Sequence, residues 1–262
     1  MLFNGNTYKA LNEARNKVVV IPIGATEQHG PHLATGTDTI IVTHIAKAVE
    51  KVLSEHIVLA PSLPYGSSDH HLSFGGTISI TADLYTQVLV NLVSSLVDSG
   101  FTRIVLLNGH GGNITPAKQA LALLSKKYDT SHRPNIALVT YWELGGKAFA
   151  GEAPMESPAL SHACEYETSM MLFVQPGSVF MNEVQRADRP EQNGYIPWED
   201  DISYKGVTLF KQTAFISSNG SSGEPQLGTA EKGQFLIDKA IEATIAFLSS
   251  FKNWPFNEPL SK

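Results

Sequence analysis

The sequence predicts an α/β fold built on a mainly parallel sheet with helices on both faces. Short β-branched apolar runs alternate with longer segments of helical period. The runs are apolar throughout, as strands buried on both faces must be. The 262 residues hold no internal repeat and no linker, so 1–262 reads as one domain.

The elements follow in order. Val18–Ile23 is a buried strand with Pro22 near its end. From Asp38 the period becomes helical, with Ile41, Ile45, Ala48, Val49 and Val52 on one face and Lys47, Glu50 and Lys51 on the other. Residues 57–60 form a second strand, ended by Pro61 and Pro64. A Gly/Ser/His stretch covers 66–76, and 77–80 reads as a short strand. Residues 84–97 are helical and Gly100 stops them. Residues 103–107 form a strand running into Asn108-Gly-His-Gly-Gly-Asn113, after which Thr115 and Pro116 read as a cap and first helical residue. That helix continues through Leu121, Leu124 and Tyr128, and 135–140 is a further strand. Residues 145–161 read as loop and 165–173 as helix. The weakly periodic 176–228 stretch reads as loops, a short hairpin or subunit contacts, and Ala230–Phe251 as a long amphipathic closing helix.

Composition narrows the function. With 42% hydrophobic and 17% charged residues the chain is not disordered. Cys164 is its one cysteine, which excludes a disulfide scaffold. Nineteen basic against 25 acidic residues give a net charge of −6 with no long basic run, so no nucleic-acid partner is expected. No stretch nears the roughly 18 apolar residues of a membrane span, so no membrane partner is expected either. The start, Met-Leu-Phe-Asn-Gly-Asn, lacks the basic and apolar regions of a signal peptide, so the expected location is cytoplasmic. Nine histidines exceed what packing needs and hint at chemistry.

Polar residues cluster at the strand ends, where ligands bind in such folds. Glu27 and His29 are two apart, so extended backbone sends both to one side, and Asp38 opens the next helix. That set suits zinc, manganese or iron, and Asp38 could bridge two ions; read alone, Asp38 is equally a helix cap and Glu27 a solvated acid. His110, set among glycines at the end of a buried strand, reads better as a ligand than as part of a phosphate cradle, because no Walker or G-x-G-x-x-G pattern accompanies it. His162, Glu165 and Glu167 precede an apolar run, where acids also favour a helix start. His70 and His71 alternate sides in extended chain, so at most one is expected to face a shared site. His44, His56 and His132 read as ordinary surface residues, and Cys164 as packing. Tyr65, Tyr141, Trp142 and His71 are candidate pocket walls and could equally be core residues, the core reading being the favoured one for Tyr141.

The phrases Gly24-Ala-Thr-Glu-Gln-His-Gly-Pro-His32 to Asp38, Ser68-Asp-His-His71 to Ser79, Asn108-Gly-His-Gly-Gly-Asn113, His162-Ala-Cys-Glu-Tyr-Glu-Thr-Ser169 and Gly220-Ser-Ser-Gly-Glu-Pro225 to Gly233 run in order from about residue 18 to 235. Together they resemble the creatininase (creatinine amidohydrolase) family. The resemblance implies a three-layer α/β/α fold, a two-metal hydrolytic centre and a homohexamer. By matching position it implies Glu27, His29, bridging Asp38, His110 and Glu167 as ligands of two divalent ions (Zn, Mn or Fe), with His162 as the catalytic histidine. Creatininase carries Tyr-Glu where this chain has Gly111-Gly112, and that Glu helps hold a metal; Glu165 is expected to compensate as ligand or general base. Relatives with the Gly-Gly form include formamide hydrolases, a peptidase of mycofactocin maturation and a hydrolase of oxidised inositol.

The expected activity is therefore opening of a C–N bond in a small cyclic amide or formamide by a hydroxide held between two metals. Glu165 would take the nucleophile's proton. His162 would protonate the leaving nitrogen or steady the oxyanion, with help from backbone N–H groups between Gly109 and Asn113. The alternatives are a hydrolase of an oxidised inositol or sugar, a peptidase, and a non-catalytic metal- or ligand-binding protein on the same scaffold. No G-x-S-x-G elbow supports a serine hydrolase.

Overall fold

The computed structural model describes residues 1–128, 134–185 and 210–256. Four strands, β1 (Val18–Ile23), β2 (Ile57–Leu59), β3 (Arg103–Asn108) and β4 (Asn135–Thr140), form an all-parallel sheet in the order β2-β1-β3-β4. Ile23 lies opposite Asn108, and Asn108 opposite Thr140. The carboxyl ends of three strands are thus level, and the loops leaving them start from one line.

Every residue of β1 is buried, because side chains alternate between two covered faces. Val18, Val20, Val105, Leu107 and Val139 pack against α2 (Thr37–Val52), α6 (Glu165–Val174) and α7 (Ala230–Phe251), meeting Ile41, Ile45, Met170 and Leu236. Val19, Ile21, Ile104 and Leu106 pack against α3 (Ala82–Asp98) and α4 (Ile114–Lys127), meeting Leu89, Ala117 and Leu124. Burying each such side chain is worth about 1.5–3 kcal/mol, so both faces hold their helices firmly. This is the three-layer α/β/α arrangement the sequence predicts. No helix among the described residues is long and apolar enough to cross a membrane.

Several local expectations are corrected. Helix α4 begins at Ile114, not at Pro116, which still falls in the first turn, where a missing N–H costs nothing. Residues 77–80 make only single bridges, Ile78 with Thr26 and Ser79 with Gly66. Residues Tyr141–Gly145 form a short helix, α5, and the loop after it opens with a turn, Gly146–Phe149. Tyr141, in line with the favoured reading, is a core residue, edge-on to Trp142 and Phe149. Tyr8–Glu13 is a short helix without a buried face, capped by Thr7, whose hydroxyl accepts from the Ala10 N–H. Between 176 and 228 the described residues hold short 3₁₀ turns and no hairpin; 186–209, and His132, lie outside the described residues.

Candidate metal centre

The loop after β1 leaves the sheet close to α2: a Cβ at Gly24 would stand 2.5 Å from Thr39 Oγ1. Asn113 ties three segments together, donating to the Gly24 carbonyl and accepting from the Ser67 N–H. The Glu27 N–H donates to the Thr35 carbonyl, which keeps the loop extended and turns Glu27 and His29 to the same side. The His29 Nδ1–H donates to the Glu27 carbonyl at 3.1 Å and so leaves Nε2 to the cluster.

Asp38, in the first turn of α2, stands between two imidazoles. Its Oδ1 is 3.2 Å from His29 Nε2 and its Oδ2 is 3.1 Å from His110 Nδ1. On the other side of His110, Nε2 is 3.2 Å from Glu27 Oε2, and Glu27 Oε1 is 3.3 Å from His71 Nε2. Asn108 fixes His110 from below, accepting its N–H and donating to its carbonyl. Glu167 Oε1 lies 3.8 Å from His29 Nε2, and its other oxygen accepts from the Ala163 N–H. His162 Nδ1 lies 3.7 Å from Glu27 Oε1. Donor atoms of four triads converge within 4.8 Å: Glu27–His29–Asp38, Glu27–His70–His110, Glu27–His71–His162 and His29–His162–Glu167.

Two buried oxygens, Glu27 Oε2 and Asp38 Oδ2, lack an aligned hydrogen-bond donor. The nitrogens of His110 are close enough for charge attraction but do not satisfy them. Buried oxygens left open beside imidazole nitrogens fit divalent cations.

The electrostatics agree. Burial pushes Glu27 up to about 7, against the pull of His110. For Asp38 burial also disfavours charge, but His29 and His110 overcome it and hold the carboxyl below its usual range. Burial works against a charge on His110, yet Glu27 and Asp38 raise it to about 9; Asp38 and Glu167 likewise hold His29 well above its ordinary value. These protons stand where cations would. His70 goes down to about 4 and His162 well below the ordinary value, burial first, then neighbouring imidazoles.

The cluster floors a cavity of about 290 Å³, with Gly111 and Gly112 on one side and Trp142 and Leu160 as apolar wall. A larger hollow, about 480 Å³, lies against β4 between Leu124, Phe251 and Trp254 and carries no acid or histidine.

The structure therefore brings Glu27, His29, Asp38, His110, Glu167 and His162 together. It does not bring Glu165. Two positions apart on a helix, Glu165 and Glu167 leave in different directions. Glu165 points to α7, where its Oε1 meets Lys232 Nζ at 2.6 Å and its Oε2 accepts from the Ser157 N–H at 2.7 Å. A carboxylate so engaged is neither ligand nor general base, and the role expected for it is withdrawn. His70 and His71 both reach the site, because Asp69–Phe74 is a 3₁₀ turn rather than extended chain. His71 lines the cavity as expected, whereas Tyr65 is exposed and does not. Sequence reasoning missed Gln28. Its side-chain amide nitrogen is 2.7 Å from His71 Nδ1 and 3.1 Å from the Gly220 carbonyl, and its main-chain carbonyl is 2.8 Å from His162 Nε2. Its place between two ligand-type residues was the available signal.

The chain matches the family model "Creatininase: Creatinine amidohydrolase" over residues 4–248. It belongs to the creatininase family. The class follows: an amidohydrolase. Over 233 residues it is 32% identical to a mycofactocin precursor peptide peptidase of Mycobacterium tuberculosis, covering 86% of this chain and 81% of that one. Against a creatinine amidohydrolase of Pseudomonas putida it is 27% identical, covering 90% of each. A crystal structure of creatinine amidohydrolase superposes with a TM-score of 0.80 over 97% of this chain and 98% of that one, at 21% identity, which confirms the fold. Creatininase structures in Zn–Zn and Mn forms superpose with TM-scores of 0.78, each over 95% of this chain and 97% of theirs at 20% identity.

Proposed function

We propose that this creatininase-family chain is a two-cation hydrolase that opens a C–N bond in a small cyclic amide or a formamide. The observation that carries the reading is Asp38, a buried carboxylate with one oxygen on His29 and the other on His110. That arrangement supports a bridging role for Asp38. His29, Glu167 and one Asp38 oxygen would hold one ion; Glu27, His110 and the other Asp38 oxygen would hold the second. Divalent zinc, manganese or iron bound there supplies an acidified water and a Lewis acid for the carbonyl.

The chain's own residues move the protons. The His162 Nε2–H donates to the Gln28 carbonyl, which leaves the Nδ1 lone pair on the cavity side. Burial and the imidazoles of His29 and His71 keep that ring neutral. His162 thus accepts a proton at Nδ1 from the attacking water and returns it to the leaving nitrogen. Gly111 and Gly112 line the cavity, and backbone N–H groups there would suit a developing oxyanion. A cavity of about 290 Å³ with Trp142 on its wall suits a small flat ring. A second reading, hydrolysis of a peptide C–N bond, is favoured by the relatives named peptidases. We place the chain as a single-domain, cytoplasmic homohexamer. Large apolar side chains exposed at Phe180, Phe210 and Phe215 support assembly, and a lone, buried, unpaired Cys164 supports a reducing compartment.

The test is a screen of metal-loaded protein against cyclic amides, formamides, keto-inositols and short peptides, with metal content measured in parallel. Turnover of a cyclic amide or formamide, lost together with metal in Asp38→Ala, is expected. His162→Ala should keep its metal and lose about 10²–10⁴-fold in turnover. Turnover of peptides alone establishes the second reading, and a wild type that takes up no divalent ion sinks both.

A further inference from the structure

We propose that His70 is a direct ligand of the second cation, completing with Glu27 and His110 a site that the five family-type ligands leave short on one side. The inference rests on the two-cation reading above. It starts from a contrast between neighbours. His71 is fully engaged: Nδ1 lies 2.7 Å from the Gln28 amide nitrogen and 2.9 Å from Thr213 Oγ1, and Nε2 faces Glu27. His70, half-buried beside it, has no hydrogen-bond partner for either ring nitrogen among the described residues. Yet one of those nitrogens lies within 4.8 Å of both a Glu27 oxygen and a His110 nitrogen. Its ring lies parallel to that of His110, 8° between planes and 5.9 Å between centroids. An imidazole held at this spacing, near a buried carboxylate that keeps one oxygen unsatisfied, is a ligand in position.

Gly112 explains why the donor comes from this segment. A Cβ at 112 would collide with the Ser67 carbonyl, stand 2.5 Å from His110 Nε2 and stand 3.1 Å from His70 Cε1. No side chain of residue 112 can therefore serve the Nε2 side of His110; the space belongs to the 67–70 segment. Within it, Asp69 is turned away to accept from the Ser79 hydroxyl. The Ser67 carbonyl and the Ser68 hydroxyl already face His110 Nε2 at 3.1 and 3.2 Å, and His70 is the imidazole that the segment adds beside them. The 3₁₀ turn Asp69–Phe74 is what lets two consecutive histidines reach one cluster.

The experiment titrates metal-free wild type, His70→Gln and His70→Glu with zinc, counting bound ions by elemental analysis, and with cobalt, following visible absorption. Wild type should bind two ions. His70→Gln, which keeps the bulk but not the donor, should keep the first and bind the second about 100-fold or more weakly, with a changed cobalt spectrum. His70→Glu should recover the second ion, because a carboxylate replaces the lost donor. If His70→Gln binds both ions as wild type does, His70 is not a ligand and the two-cation reading survives. A wild type that binds fewer than two ions overturns that reading and this inference with it. Melting temperature in the one-ion state, unchanged across the three proteins, excludes a folding defect as the cause of a lost ion.

Discussion

Replacing Lys232 by methionine separates a structural role for Glu165 from a catalytic one. Lys232 Nζ lies 2.6 Å from Glu165 Oε1, 2.8 Å from Glu156 Oε1 and 2.9 Å from the Leu227 carbonyl. Glu165 is fully buried, whereas the Glu156 side chain is 63% exposed. The pair with Glu156 is screened and contributes little. Breaking a buried pair and leaving one charge costs about 3–5 kcal/mol. Glu165 keeps the Glu156 and Ser157 N–H groups, so the low end applies, about 3 kcal/mol or a loss of about 6–12 °C in Tm for a chain of this size. Burial disfavours the Glu165 charge, but Lys232 and the Ser157 N–H overcome it and hold its carboxyl below the usual range; the same contacts raise Lys232. The carboxylate's contribution is present above its ordinary pKa of about 4.3 and fades as pH falls through the lowered one. The ammonium's is present below about 10.4 and fades as pH rises through the raised one. The deficit of Lys232→Met should therefore be full from about pH 5 to 10 and shrink toward acid. Thermal melts of cation-free wild type, Lys232→Met and Glu165→Gln at pH 7.5 and pH 3.5 measure it. Glu165→Gln should lose stability and keep most turnover per folded molecule. A general base would behave in the opposite way, with turnover down about 10²–10⁴-fold and Tm unmoved. That result, or a Lys232→Met variant melting with wild type at pH 7.5, would refute the reasoning.

Two further outcomes follow from the same geometry. His29 and His110 hold protons in the cation-free cluster, His110 up to about 9, and a protonated imidazole cannot ligate. Zinc binding at pH 7 should therefore release protons, and affinity should rise with pH until about 9; calorimetry in buffers of different ionisation enthalpy detects this, and a pH-independent affinity without proton release contradicts it. At Gly233 of α7 a Cβ would overlap the Ser169 carbonyl of α6, so Gly233→Ala should cost about 1–3 kcal/mol in urea melts, while Gly177→Ala, with open space around it, should not; equal effects would show that α6 and α7 pack more loosely than described.

How much of this was legible in the sequence depends on which kind of regularity carried it. The strands and long helices rest on local period, and α7 runs over Ala230–Phe251 as expected because one amphipathic face extends over all its turns. Glu27, His29, Asp38 and His110 were legible because short loops from adjacent parallel strands must open at one end of the sheet. Glu165 was misread because, on α6, what decides is direction rather than distance along the chain. Two residues apart, Glu167 meets His29 while Glu165 meets an amine on α7 that only long-range packing brings near. Lys232 was invisible for the same reason, a polar residue in the first turn of a helix whose partners lie 67 and 76 positions away. His70 was lost to a backbone assumption. Alternation holds in extended chain, and the Asp69–Phe74 turn replaces it with a period near three, which lets both histidines reach the cluster. The residues that deliver ligands from loops were thus readable from order along the chain. Those that decide which acid is a ligand and which is a brace depend on helix phase and on contacts between distant segments.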